Sequence, residues 1–309
     1  MEGTIAALQT LARQARPAVW ALHSHLEWLT KCTFYMRHYT RSIESLQAVG
    51  IFDSGVGGLS VLREIRTLLP KENLVYVADS AHLPYGNKST EYIRSRAVHI
   101  CRFLLSQGVK AIVVACNSAT AAAINELRTS FNVPIVGMEP ALKPAAELTQ
   151  SGVVAILATA STLKSEKFER LHNRFSKDTF IIRQPCDGWV DYVESCDRHG
   201  STATMLVARS VQPMLDKNAD ALVLGCTHYP FLIPVIRAVT GPDVHIIETG
   251  TAVARQLQRL LQVNGLRNEA VQSGRALFYT SGRHSRVLPV MSRLWGEDLE
   301  LSILPGGSH

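Results

Sequence analysis

Two stretches, KAIVVACNSATAAAINEL (110–127) and ADALVLGCTHYPFLIPVI (219–236), decide how the chain is read. Each runs from an apolar segment of strand length into a helix-like segment, with a cysteine at the junction. Cys116 occupies the first junction and Cys226 the second, 110 positions apart. Short continuous apolar runs beside amphipathic segments point to buried parallel strands and the helices that cover them. The end of such a strand, where the chain turns into a helix, is where open α/β sheets place ligand-binding groups. A thiol at that turn meets backbone N–H groups, which favours the thiolate.

The same alternation extends outward from these units. Strand-like runs fall at 49–52, 74–79, 110–115, 134–138, 153–158, 179–184, 221–225, 244–248 and 276–280. Helix-like segments such as LSVLREIRTLL and EYIRSRAVHICRFLLSQG separate most of them. The order also repeats. IFDSGVGG near 51 corresponds to AILATAST near 155, and PIVGMEPALKPAA near 134 to VHIIETGTAVARQL near 244. With the two cysteine units between them, three successive elements recur at offsets of roughly 104 to 110 residues. This pattern predicts an α/β protein of two pseudo-symmetric lobes, with mainly parallel sheets flanked by helices and a site in the cleft between them.

Composition narrows the class. Hydrophobic residues make up 46% of 309, enough for a substantial core or two modest domains. No apolar run approaches the roughly 18 residues that span a bilayer, and the start, MEGTIAALQTLARQARPAVW, has no compact apolar core before a cleavage site. Six cysteines (32, 101, 116, 186, 196 and 226) form no CxxC and no disulfide framework, so free thiols in a reducing cytoplasm are expected. Cys32, Cys101, Cys186 and Cys196 lack the setting of the other two and read as structural. The net charge of +6 suits an anionic ligand, but its cations are spread along the chain. Without a basic stripe, nucleic acid is not an expected partner. Residues 1–48 carry no strand pattern and read as an N-terminal extension of unassigned role.

Three loops carry the chemistry. In FDSGVGGLSV, Asp53 and Ser54 end a strand, and Gly55, Gly57 and Gly58 lead into a helix. Glycines there permit positive φ and close backbone approach to an anion. Asp53 would repel a pyrophosphate, so it is expected to meet an ammonium, orient a neighbouring acid or cap the helix. The loop ADSAHLPYGNKS (78–89) contains a Pro84-Tyr85-Gly86 turn whose N–H groups suit a carboxylate. Cys116-Asn117-Ser118 and Cys226-Thr227-His228 place hydrogen-bonding side chains beside each thiol, and His228 could tune its thiol or hold a proton. Cys226-x-His228 and Cys196-x-x-His199 offer zinc-ligand types, but neither belongs to a paired framework, so no metal is expected. A cysteine hydrolase would leave one of the two thiols unused.

Two opposed thiols suit inversion at carbon. One takes the α-proton of an amino acid from one face while the other returns a proton to the opposite face. With a free-thiol pKa of about 8.5, both protonation states are accessible near neutrality. No lysine context suggests a Schiff base, so the chemistry is expected to need no cofactor.

At FDSGVGGLSV, PYGNKS, VVACNSAT, GCTHYP and FYTSG the chain resembles glutamate racemases of the aspartate/glutamate racemase superfamily, over about residues 49–285. The resemblance implies cofactor-independent interconversion of L- and D-glutamate, supplying D-glutamate for bacterial peptidoglycan, cell-wall biogenesis and cell shape. It implies that Cys116 serves the D-glutamate side and Cys226 the L-glutamate side. Asp53 would assist the first, and His228 the second; Glu194, in VDYVES, matches the family's assisting glutamate. Substrate contacts are implied at Asp53, Ser54, Tyr85, Gly86, Asn117, Ser118, Thr159, Thr162, Thr227 and His228, with Ser118 standing where many members have Thr. One lobe would comprise 49–145 with 247–305 and carry Cys116; the other, 146–246, would carry Cys226. Some members with an N-terminal extension need UDP-N-acetylmuramoyl-alanine as activator, which makes that precursor and a homodimer further expectations. The rival readings are an aspartate or hydantoin racemase, a binding module without catalysis, and a nucleic-acid or topoisomerase-interacting protein.

Overall fold

The computed structural model describes residues 47–195 and 200–305, so all but the last two residues of the extension, including Cys32, lie outside the described residues, as do Cys196 and His199. Among the described residues, ten strands form two sheets, every pairing in them parallel. The larger sheet contains β1 (Val49–Asp53), β2 (Leu74–Ala78), β3 (Ala111–Val114), β4 (Ile135–Val136), β9 (Ala276–Thr280) and β10 (Leu301–Ile303), in the order β10-β9-β2-β1-β3-β4. The smaller contains β5 (Val153–Ala158), β6 (Phe180–Pro185), β7 (Ala221–Leu224) and β8 (His245–Ile247), in the order β6-β5-β7-β8.

The repeat in the sequence is thereby a repeat in topology. β1 lies between β2 and β3, as β5 lies between β6 and β7, and β4 and β8 close the equivalent edges. In this order the chain leaves the first strand toward one neighbour and later returns on its other side, which opens a crevice at the carboxyl ends of the central pair. Asp53 ends β1 and Cys116 follows β3; Thr159 follows β5 and Cys226 follows β7. All four fall at such crevices.

Both faces of each sheet are covered, which explains the near-continuous apolar runs. Along β3, Ala111 and Val113 pack into one core and Ile112 and Val114 into the other. Along β5, Ala155 and Leu157 face one core, and Val154, Ile156 and Ala158 the other. Each fully buried Val, Leu or Ile stabilises the fold by about 1.5–3 kcal/mol, so a one-residue slip in either strand exchanges whole cores. The covering helices follow their capping signals. The helix Thr90–Ser106 starts where the Ser89 side chain accepts the Tyr92 N–H and buries Ile93, Ala97, Ile100 and Leu104.

The strands at 153–158 and 276–280 match their expected bounds, and the others differ by a few residues at most. One strand, β10, was not legible: three residues with an exposed Ser302 between Leu301 and Ile303 give too short a pattern. It adds to the edge of β9 only because the chain returns to the larger sheet.

Candidate active site

Cys116 sits between β3 and helix Asn117–Ser130, in extended conformation, and is that helix's N-cap. Its Sγ accepts the Ala119 N–H at 3.5 Å and lies 3.8 Å from Ser54 Oγ. The expected helix N–H contact is therefore present, but it does not decide the charge. Burial pushes the Cys116 thiol well above its ordinary value, and negative charge on Asp53 adds to the effect. The Ala119 N–H and the Ser54 hydroxyl oppose it only in part. Here the expected preference for thiolate gives way to desolvation, which penalises any charge removed from water.

Asp53 is fully buried behind Cys116. Its Oδ2 accepts the Gly58 N–H at 2.7 Å and the Thr227 hydroxyl at 3.2 Å, and Ser54 donates to Oδ1 at 3.4 Å. Gly58 directly precedes helix Leu59–Leu68, so Asp53 does satisfy an amide at that helix start. Burial raises its carboxyl above the usual range, against the pull of His228 and the hydrogen bonds of Ser54, Gly58 and Cys116. With both acids raised, charge on either one opposes charge on the other.

Cys226 has a different neighbourhood. After β7 the chain makes a 3₁₀ turn, Tyr229–Leu232, before helix Ile233–Thr240. Cys226 Sγ lies 3.7 Å from His228 Nδ1, and His228 Nε2 lies 2.7 Å from Glu194 Oε1. Burial works against a charge on His228, yet its hydrogen bonds to Cys226 and Glu194 prevail and raise the imidazole well above its ordinary value. A protonated His228 donates to the carboxylate on one side and faces the thiol on the other.

The glycine loop holds this pair. Val56 N–H donates to Glu194 Oε1 at 2.7 Å, so the anion that the loop's backbone receives is the protein's own carboxylate. A Cβ on Gly55 would lie 2.0 Å from Glu194 Oε1, and one on Gly57 would lie 2.2 Å from His228 Nδ1. Close approach is thus the reason for these glycines. Gly55, Gly57 and Gly58 do not use the positive φ that glycine permits. Ser60 Oγ donates to both Gly57 O and Thr227 O at 2.9 Å, tying the loop after β1 to the loop after β7.

One small cavity collects the remaining groups. Cys116 and Cys226 both line it, with Ser54, Tyr85, Gly86 and Asn117. Ser118, Thr159, Thr162, Thr227 and His228 complete the expected set, whereas Asp53 and Glu194 stand behind the lining. Neither polar atom of the Asn117 amide has a partner within the protein, although the residue is only 5% exposed. Leaving a buried amide unpaired costs about 1–3 kcal/mol, which a polar ligand in the cavity would recover. The Ser118 hydroxyl lies 3.1 Å from Thr159 Oγ1, 3.1 Å from Ser161 Oγ and 3.2 Å from Thr162 Oγ1.

Two functional neighbours were missed in the sequence. Asp79, fully buried at the end of β2, accepts Tyr85 OH at 2.6 Å and a fork from Arg96 at 3.0 and 2.7 Å. This brace fixes the Tyr85–Asn87 turn against the cavity. A carboxylate ending the apolar run LVYVAD was the available signal, parallel to Asp53 ending its own strand. Val190 also lines the cavity and had no signal beyond its helix. Cys101 and Cys186 do not line the cavity, although Cys186 packs in the same core as Cys226; burial pushes Cys101 up to about 12 and raises Cys186 as well. No cluster of three or more metal-ligating side chains occurs among the described residues.

Two matched parallel sheets thus bring a pair of buried thiols onto one cavity. A family model for Asp/Glu/Hydantoin racemases matches residues 49–257, and the chain belongs to that family: it is an amino-acid racemase, an isomerase. The glutamate racemase of Methylococcus capsulatus is 56% identical over 260 residues, covering 84% of this chain and 96% of that one. Among solved structures, glutamate racemase isoform RacE1 from Bacillus anthracis is similar with a TM-score of 0.76 and 31% identity, covering 84% of this chain and 97% of that one. Escherichia coli glutamate racemase, in complex with L-glutamate and the activator UDP-MurNAc-Ala, gives 0.73 and 32%, covering 84% and 98%.

Proposed function

We propose that the chain interconverts L- and D-glutamate by a two-base mechanism, with Cys116 and Cys226 as the bases. The observation that carries this reading is the placement of both thiols, from equivalent strand ends of two sheets, on one cavity with the unpaired amide of Asn117. L-glutamate would give its α-proton to the Cys226 thiolate while the Cys116 thiol delivers a proton to the opposite face of Cα. The reverse reaction exchanges the roles. In the L-to-D direction the electron pair left on Cα takes up the Cys116 proton, so Cys226 ends as thiol and Cys116 as thiolate. Protons then redistribute before the next turnover in the same direction.

The side chains around each thiol support this division. His228, held by Glu194, supplies positive charge 3.7 Å from Cys226 Sγ. Asp53, raised by burial, is suited to hold or return a proton beside Cys116. Asn117, Ser118, Thr159, Thr162 and Thr227, with the Tyr85-Gly86 turn and Ser54, offer hydroxyl, amide and backbone groups to two carboxylates and an ammonium. The cavity measures about 20 Å³, little more than the roughly 10–15 Å³ that one water needs. Residues 49–145 with 247–305 and 146–246 would therefore act as two lobes that part to admit substrate. We place the reaction in the bacterial cytoplasm, upstream of peptidoglycan assembly, without cofactor. The complex of the Escherichia coli relative supports UDP-MurNAc-Ala as an activator to test here.

Incubation with each enantiomer in D₂O, followed by NMR at Cα, tests the reading. Solvent deuterium is expected in the inverted product from glutamate, with aspartate a far poorer substrate. Neither exchange nor inversion of glutamate, or preferred turnover of aspartate, overturns it.

A further inference from the structure

A second and much larger cavity, of about 650 Å³, adjoins the cysteine cavity, and Ser118 lines both. Its walls come from both sheets. Lys88 follows the Tyr85–Asn87 turn of the larger sheet, and Lys164 ends the short helix Ala160–Lys164 after β5 of the smaller one. Five cationic side chains line it against two carboxylates. Arg94 pairs with Glu126 at 3.0 Å, Arg170 with Glu166 at 3.4 Å, and Lys167 with Glu139 at 2.9 Å. Lys88 and Lys164, both exposed, pair with no carboxylate among the described residues. The wall between the cavities is polar. Ser161 faces the larger cavity, Thr159 and Thr162 the smaller, and the Ser118 hydroxyl lies within 3.2 Å of all three.

We propose that the larger cavity is a cationic vestibule, which gathers a dicarboxylate amino acid between Lys88 and Lys164 and passes it over the Ser118 hydroxyl wall to the cysteines. The vestibule rests on the reading that the substrate is glutamate, which carries a net negative charge at neutral pH. A cleft lined by one sign of charge raises the local concentration of its counter-ion and speeds capture by about 10- to 1,000-fold, an effect that salt weakens. The wall's hydroxyls both donate and accept, so they can exchange hydrogen bonds among themselves for hydrogen bonds to a passing carboxylate. Because Lys88 and Lys164 belong to different sheets, one anion bridging them would also favour the approach of the two halves.

The double variant Lys88→Glu/Lys164→Glu tests this, with Lys177→Glu/Lys217→Glu as a control of equal charge change outside the cavity lining. At low ionic strength the vestibule variant is expected to raise KM for glutamate about tenfold, with the loss in KM rather than kcat. Toward 1 M salt, where the Debye length shrinks to about 3 Å, that difference should fall to within about twofold. Calorimetric titration with L-glutamate should show the same salt-dependent contrast in affinity, whether or not the enzyme turns over. Unchanged KM and affinity in the vestibule variant, or an equal loss in the control, overturns the vestibule. A wild-type protein that binds glutamate with the expected salt dependence but does not racemise it overturns the proposed reaction and leaves the vestibule standing.

Discussion

The Cys116 and Cys226 units share a strand position and differ in almost everything that sets their chemistry. Both follow the strand beside the first strand of their sheet, and both line one cavity. Cys116 caps a regular helix and is backed by an acid, Asp53. Cys226 enters a 3₁₀ turn and is backed by a base, His228, itself anchored by Glu194. Fold duplication supplies the opposed placement, and the neighbours supply the difference between the two faces. The halves are also interlocked: Asp53, ending β1 of the larger sheet, accepts the Thr227 hydroxyl, and Val56, in the loop after it, donates to Glu194. Neither thiol's environment is complete within its own sheet.

The strongest way to break this comparison is to remove one thiol at a time. Cys116→Ser and Cys226→Ser should each lower racemisation by about a thousandfold or more, since a hydroxyl is a far weaker acid than a thiol. The two variants should then diverge. Cys226→Ser retains the base for D-glutamate and should still wash solvent deuterium into D-glutamate without inversion; Cys116→Ser should do the same only with L-glutamate. NMR of each enantiomer in D₂O reads this directly. Exchange of both enantiomers by either single variant would mean that one thiol reaches both faces.

Next in size is the imidazole. His228→Asn should reduce kcat/KM by about 10²- to 10³-fold, the usual range for loss of a positioned acid–base group. Because racemisation has an equilibrium constant of one, kcat/KM must fall equally in both directions. The asymmetry should appear instead in isotope effects, with a larger primary effect for 2-deuterated L-glutamate than for the D-enantiomer. Equal effects would place His228 outside the Cys226 step. Stability follows the same residue. The raised imidazole binds its proton more tightly folded than unfolded, so its contribution is full below the ordinary value of 6.5 and fades as pH rises through the raised value. The variant should lose about 1.5–3 kcal/mol in denaturant titrations at pH 6 and approach wild type in strong alkali.

Much of this was legible because it depends on short-range pattern. Apolar strands buried on two faces announce themselves, and the repeat of strand, polar turn and helix points to two similar lobes with mainly parallel sheets. Cys116, Cys226 and His228 stood out as chemically active residue types at strand ends. What could not be read was the outcome of competition between long-range terms. The helix amides favour a Cys116 thiolate, but burial and Asp53 outweigh them. The glycines of FDSGVGG signalled an anion close to the backbone, but only the fold shows that it is Glu194, 138 positions away. Arg96 closes on Asp79 through the packing of its helix, which flanking sequence does not specify.

The smallest effect, and the one most specific to the Cys116 side, concerns Asp53. Its carboxyl is raised by burial, so the folded chain holds this proton more tightly than the unfolded chain. Between the ordinary value of 3.8 and the raised one, the folded state binds more protons, and the stability from this group falls as pH rises. Asp53→Asn removes that penalty while keeping an oxygen for the Gly58 N–H and the Thr227 hydroxyl, with its amide placed to donate to Ser54 Oγ. It should therefore be more stable than wild type near pH 7 by about 1 kcal/mol, a common size for one substitution. Below the ordinary carboxylate range the gain should vanish, because the wild-type group is then protonated in both states. The His228 variant should show a slope of the same sign from a lower start, losing most in acid and approaching wild type as pH rises. Denaturant midpoints for both variants across pH test the pair together. An Asp53→Asn protein less stable than wild type at neutral pH would mean that the buried carboxylate is held charged by its hydrogen bonds. The Cys116 face would then carry a fixed anion, with no proton on Asp53 to return.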